Sequence, residues 1–487
     1  MNRRGFLRGA LAGLGAAAAT TALSPLIKIK KARAAGNGKR VVIVGIGGGL
    51  RMRESLGMAE GATMPNLFGR TPLVTGFGVS GVQPEPTIAP EYKQLVRPIK
   101  RPTIRSTPLH TQGTLITNLR YGDNSGNAPP GHLQGHGCLL SGMYNQLENR
   151  ADAKLPVPTI FELHRQATNL PASDAWYISQ IGGFYRALIA SEAPGYGNKF
   201  AGVYLQPPGV MSPLVPIITS GKRTLTLTQQ NPALPIIPLD NAEDAAVGRM
   251  TRVLDGNTAD YGTAETNVHL SAGDNAAIQA HLAEIYSDST FDKYFSDSFG
   301  IGLENTDLSI DGTPDAITVF HAEQVLKKFR PSVMAITLLD VDVCHSDFNG
   351  YLRGQQLADA CVNHLWDFIQ ADPDLRDNTT MIVLPEHGRH LFSNGNNPDS
   401  MGRAGIDHGQ GDDGDRNVWM LALGPDIKQN QVIAPTGITQ PGRTSGKYET
   451  IDAVMTAMSV LGHDQKLASE LDAFGARPGL VIGEALA

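Results

Sequence analysis

Apolar residues in this chain follow two rhythms. Residues 40–46, 175–178, 333–339, 379–384 and 418–423 form short runs that are aliphatic, β-branched or aromatic at nearly every position. A strand solvated on one face alternates apolar with polar residues. A continuous run marks a strand covered on both faces, as in a parallel sheet between helices. Other segments carry helical spacing. Pro158 lies near the start of one that runs through Leu163. Thr313, Pro314 and Asp315 read as an N-cap with proline at the first helical position, opening a helix to about Phe329. Residues 351–369 place Leu357, Cys361, Leu365 and Phe368 on one face, and residues 448–461 form a last helix. Strand and helix alternate through the final third. This predicts an α/β three-layer sandwich with a mostly parallel central sheet.

The remaining segments are less regular. Gly47, Gly48 and Gly49 form a turn after the first run, and a Pro- and Thr-rich stretch read as irregular continues to about residue 119. Residues 190–311 are broken by Pro207-Pro208, Asn231-Pro232 and Asp/Asn/Gly clusters, with one helical piece near 276–285. They read as an inserted cap or an irregular second layer. No internal repeat is evident.

The N-terminus reads as a separate element. Arg3 and Arg4 precede Phe6 and Leu7, an uncharged Ala/Gly/Thr stretch follows, and Lys28, Lys30, Lys31 and Arg33 close it before Ala34. This is the pattern of a twin-arginine signal peptide spanning residues 1–34, cleaved to leave a domain at 35–487. The expected destination is periplasmic or secreted, with the twin-arginine export machinery as a partner and no stable membrane span after cleavage. Residues 1–34 hold seven of the 41 basic residues and none of the 47 acidic ones, so the remainder carries 34 against 47, a formal −13. Such a surface has no general attraction to nucleic acid or anionic lipid. Cys138, Cys344 and Cys361 are too few for a disulfide framework and read as buried small hydrophobes.

The candidate chemistry lies just past the C-terminal ends of the strand-like runs, where ligands bind in such sheets. Asp342 and His345 follow one run, Glu386-His387 another, and Asp407-His408 sits in a glycine-rich loop. Imidazole and carboxylate from separate segments suit a divalent transition metal, zinc or manganese before calcium.

The flanks of these residues carry a resemblance. Glu386-His387-Gly388-Arg389 resembles the Asp-His-Gly signature of the alkaline phosphatase and sulfatase superfamily. Asp342 through Asp347, followed by Tyr351 and Asp359, is similar to its aspartate–histidine motif and following helix. Asp407-His408-Gly409 resembles its final histidine, the run before Gly424-Pro425 its last strand, and Thr450 the threonine of its closing helix. The resemblance spans the final third of the chain. It implies an alkaline-phosphatase-like fold and a metal-dependent hydrolase of phosphate or sulfate esters, acting on a small anionic ester. It further implies that Asp342, His345 and His408 hold one metal while Glu386 and His387 contribute to a second. The histidine follows Asp342 by three residues and Asp340 by five, so either aspartate could ligate; Asp407 is a further candidate.

The N-terminal half departs from that pattern. Gly48 stands where the superfamily carries a metal-binding aspartate, and Ser141-Gly142 stands for its Thr-Gly motif. The nucleophile's place falls at His132, with His136 one helical turn on. This half is more similar to the superfamily's twin-arginine-exported branch. His132 is therefore the catalytic candidate and His136 a candidate ligand. A metal-bound hydroxide is the expected attacking group, and Arg389 or Arg51 would neutralise an oxyanion. Two other readings stand beside this one. A catalytically degenerate relative would act as a periplasmic binding or assembly protein. A dinucleotide enzyme would use Gly45 through Leu50, but it lacks the third glycine and the distal acid of that fingerprint.

Overall fold

The computed structural model describes residues 38–57, 63–69, 71, 73–74, 104–122, 130–144, 154–179, 184–205, 276–278, 280–281, 314–345, 348–391, 406–409 and 412–487. The leader and most of the expected cap lie outside the described residues.

Eight strands form one sheet: β1 (Arg40–Ile46), β2 (Gly113–Arg120), β3 (Ala175–Ser179), β4 (Val203–Leu205), β5 (Val333–Leu338), β6 (Thr379–Pro385), β7 (Asn417–Leu423) and β8 (Gln431–Ile433). Their order is β4-β3-β5-β1-β6-β7-β2-β8. The β4, β3, β5, β1 and β6 block is parallel throughout. β7 runs antiparallel to β6 and to β2, so the sheet is mostly, not wholly, parallel.

The continuous apolar runs do what their pattern requires. In β1, Val42, Val44 and Ile46 feed one core while Val41 and Ile43 feed the other. The first core is closed by α3 (Pro314–Phe329) and α4 (Phe348–Ala371), through Phe320, Leu357, Cys361 and Leu365. The second is closed by α1 (His132–Ser141), α2 (Ile160–Thr168), α5 (Thr450–Val460) and α6 (Asp464–Phe474). Each fully buried Leu or Phe in these layers contributes about 1.5–3 kcal/mol. Thr159 and Glu162 form a reciprocal capping box that starts α2. The three cysteines are buried and free of disulfides.

Besides β8, α6 and β4, which lies in the span read as a cap yet joins the central sheet, two elements were not expected from the sequence. The stretch read as irregular to residue 119 contains β2, buried at nearly every position and paired with β7 through a register shift between Ile116 and Leu119. The segment from His132 forms α1 although it contains Gly135 and Gly137. Gly135 is there for packing: a Cβ on it would lie 2.9 Å from the Glu386 Cβ. A poor helix former is thus placed where the helix must approach a strand end.

The register sets up the site. Ile46 pairs with Leu338 on one side and Pro385 on the other, so β5, β1 and β6 end level. The three chain exits, Gly47–Gly49, Asp340–His345 and Glu386–His387, therefore leave the sheet side by side.

Candidate metal centre

After β5 the chain turns through a short 3-10 helix, Asp340–His345, which alternates the directions of its acids. Asp340 turns away from the centre: its Oδ2 accepts from the Asp315 backbone N–H at 3.3 Å, and its own N–H donates to Asp315 Oδ1. Burial and the neighbouring Asp340 raise the Asp315 carboxyl well above its ordinary range. Asp342 turns inward. Its Oδ1 lies 3.3 Å from His345 Nε2 and its Oδ2 lies 3.4 Å from His132 Nε2. His408 completes this group, and the ligand atoms of His132, Asp342, His345 and His408 all lie within 4.8 Å of one another. Four donors around an ion at 2.0–2.1 Å in a tetrahedron stand about 3.3 Å apart, close to the separations of Asp342 from His345 and His132.

Each of these donors is held from behind. His345 Nδ1 lies 2.7 Å from Asp407 Oδ1, His408 Nδ1 lies 3.0 Å from the Pro130 carbonyl, and His132 Nδ1 lies 2.8 Å from Glu386 Oε1. An acceptor at Nδ1 places the proton there and leaves Nε2 as a lone pair facing the centre. The His408 Nε2 is buried with no hydrogen-bond partner. Asp342 Oδ1 receives Arg389 Nη2 at 2.5 Å. Burial and the surrounding His387, His132 and His345 hold His408 well below the ordinary histidine range, so it stays neutral. Burial alone would raise Asp342, but His132 and His345 outweigh it and hold the carboxyl well below its usual range. Neutral imidazole and ionised carboxylate are the forms that bind a metal.

A second group adjoins the first. His132, Glu386 and His387 also bring donor atoms within 4.8 Å. Glu386 Oε1 accepts from the Gly48 N–H at 2.5 Å, and His387 Nε2 lies 3.2 Å from the same oxygen. His136 Nδ1 lies against Glu386 Oε2, its ring packs on Tyr185 at 4.5 Å, and its Nε2 faces β1 near Gly45. Burial would raise Glu386, yet the three histidines around it hold it well below its ordinary range.

The structure thus gathers His132, Asp342, His345, Glu386, His387 and His408 at one point, with His136 behind Glu386. It gives other roles to several candidates. Asp340 faces Asp315, and Asp407 supports His345. Arg389 is fully buried and holds Asp342 and the Ile406 carbonyl. Arg51 is buried against Glu54 and donates to the carbonyls of His390 and Leu391. Arg389 thus reaches the centre through Asp342, and Arg51 is held by Glu54. Gly48 stands where a carboxylate was missed, and the space is already taken: a Cβ there would lie 2.6 Å from the Asp342 Cβ. Asp342 and His387 both pack closely on this glycine turn.

Sequence reasoning missed the Pro130 carbonyl, because a backbone acceptor leaves no residue signature. It also missed a third group, His390, Asp412 and Asp415. Burial lowers His390, but Asp412 and Asp415 raise it net above its ordinary value. Asp412 also caps the short helix Asp413–Arg416, and the acid run after His408 was the available signal.

No family model and no curated protein matches the chain. Among solved structures it is similar to a protein in the alkaline phosphatase superfamily from Vibrio parahaemolyticus, 11% identical over 95% of this chain and 76% of that one, TM-score 0.36. It is also similar to the lipoteichoic acid synthase LtaP from Listeria monocytogenes, 10% identical over 87% and 72%, TM-score 0.36. The alkaline phosphatase from the Antarctic bacterium TAB5 is 12% identical over 87% of this chain and 98% of its own, TM-score 0.38. At these values the likenesses add no weight to the site, which stands on its own geometry. The chain is similar in structure to alkaline phosphatase superfamily members and sulfatases.

Proposed function

We propose that this chain is an exported, metal-dependent hydrolase of small phosphate or sulfate esters. The observation that carries the reading is the first donor group: four side chains from three segments converge, and each is fixed from behind by an acceptor or a cation. Such outer partners orient ligands and are a regular part of metal sites. A divalent ion there supplies Lewis-acid polarisation of an ester oxygen and acidification of water.

The chain's own residues supply the rest. His132, Asp342, His345 and His408 bind the ion, and zinc or manganese suits their mixed nitrogen and oxygen donors. His132 opens α1 with Gly131 as N-cap, so the positive end of that helix abuts the site and favours an anionic substrate. The exposed side of the cluster includes His408, Asp342 and His345, the last two with side chains 13% and 14% exposed, against 0% for Glu386 and His387. An ester therefore approaches from the Asp342–His345 side. Export through the twin-arginine route rests on the leader sequence alone, and residues 190–311 are the proposed source of substrate selectivity.

Metal analysis of the exported protein, with chromogenic phosphate and sulfate esters as substrates, tests the proposal. Bound zinc or manganese with hydrolysis that a chelator removes is the expected result. A protein that takes no metal on reconstitution and hydrolyses neither ester refutes it. Metal without hydrolysis would favour the degenerate binding protein.

A further inference from the structure

The two donor groups share one residue. His132 belongs to both, with Nε2 toward Asp342 and Nδ1 toward Glu386. We infer that the site takes one divalent ion, that His132 is its fourth protein ligand through Nε2, and that Glu386 is a positioning residue that does not touch the ion. This rests on the metal-dependent reading above and goes beyond it. The sequence implied two ions, with Glu386 and His387 on the second.

Lone pairs decide first. Glu386 Oε1 already accepts from the Gly48 N–H at 2.5 Å and from His132 Nδ1 at 2.8 Å. A carboxylate oxygen offers about two lone-pair sites, so both are engaged. The other oxygen lies against His136 Nδ1 without forming a regular hydrogen bond, so the carboxylate's hold on His132 runs through Oε1. The arrangement repeats the pattern of the neighbouring ligands. Glu386 is to His132 what Asp407 is to His345 and the Pro130 carbonyl is to His408: an acceptor at Nδ1 that aims Nε2 inward.

Ligand number decides next. With His132 committed through Nε2, the second group keeps only Glu386 and His387. Protein sites for such ions use at least three side-chain ligands. The vacancy cannot be filled from solvent, since both side chains are 0% exposed. Backbone closes in from two more directions: a Cβ on Gly49 would lie 2.5 Å from His387 Nδ1, and one on Gly135 would lie 2.9 Å from the Glu386 Cβ. The glycine turn and α1 are packed onto this carboxylate and imidazole. The first group, partly exposed, keeps a face from which a substrate can add to the ion's coordination.

The experiment is metal stoichiometry of the full chain after reconstitution with zinc or cobalt(II), read by native mass spectrometry and by the cobalt visible spectrum. One ion per chain with a four- or five-coordinate cobalt spectrum is expected. Two ions per chain overturn the inference and leave the hydrolase reading intact, whereas no bound ion sinks both. The variant Glu386→Gln adds a second readout. It should still bind one ion, about 10–100-fold more weakly, with the coordination class of the cobalt spectrum unchanged. His132→Asn should shift that spectrum by removing a nitrogen ligand. A spectrum unchanged in His132→Asn, or a change of coordination class in Glu386→Gln, reverses the assigned roles and overturns the inference. The wild-type stoichiometry decides even if a variant fails to fold.

Discussion

Replacing Gly48 with aspartate would restore the residue that the superfamily pattern leads one to expect, and the structure predicts that it breaks the site. Gly48 has φ +89, a backbone conformation that disfavours any side chain by roughly 1–2 kcal/mol. Its Cβ would fall 2.6 Å from the Asp342 Cβ and 2.7 Å from the Asp342 Cα and N. Two of those contacts are backbone, which yields only by moving the turn, and overpacking of this kind costs about 1–3 kcal/mol. The sum is roughly 2–5 kcal/mol, with the added charge next to Asp342 working in the same direction. Gly462→Ala is the control. It has φ +77 and nothing within 4 Å of the added atom, so it isolates the backbone part, roughly 1–2 kcal/mol. Urea unfolding of both variants and of the parent gives the two differences, and elemental analysis gives the metal content. Gly48→Asp should be the less stable variant and should bind less metal than the parent. If it is as stable as the parent and binds more, Asp342 does not occupy that space and the account of this half of the site is wrong.

Other consequences are as direct. His408→Ala should abolish bound metal while far-UV circular dichroism stays unchanged, because the ring packs on His132, His345 and His387 from a loop; retained metal would remove His408 from the site. Arg389→Gln should weaken metal binding about 10–100-fold, as expected of an outer partner, since it frees Asp342 Oδ1 from its 2.5 Å contact; unchanged affinity in a titration would show that Asp342 holds its direction unaided. His463, held mainly by burial and then by His164, has its pKa lowered to about 4 from 6.5. The unfolded chain therefore takes up a proton in that window that the folded chain refuses. The stability it contributes is present above 6.5 and is lost as pH falls toward about 4. His463→Gln should flatten the pH dependence of urea unfolding across that window, and an equal slope in parent and variant would contradict the assignment.

The order of readable and unreadable features follows from the range of the forces involved. The continuous apolar runs determined β1, β3, β5, β6 and β7, because a strand buried on both faces must be apolar at every position. Helical spacing determined α3 and α4 in the same local way; the expected N-cap, Thr313, lies outside the described residues. Helix α1 and strand β2 were not readable, since each has a local pattern that tertiary contact overrides. Gly135 weakens the helix but lets it reach Glu386, and β2 mixes Gly, Thr and Asn with its apolar residues while its neighbours β7 and β8 hold it in the sheet. The antiparallel direction of β7 is likewise a matter of which neighbours it meets.

For the site, the sequence by itself determined the kinds of donor and their place after strand ends, because chemistry needs particular side chains and the fold needs particular runs before them. Only the tertiary structure decided which donors meet. The level ends of β5, β1 and β6 bring Asp342 and Glu386 to one edge, separated by the glycine turn. A turn of the 3-10 helix points Asp342 inward and Asp340 toward α3. His132 became a donor, and Arg389, Arg51 and Asp407 became supports, through contacts between segments distant in sequence. Residue type states what a side chain can do. Direction and neighbours, set by packing over the whole sheet, state what it does.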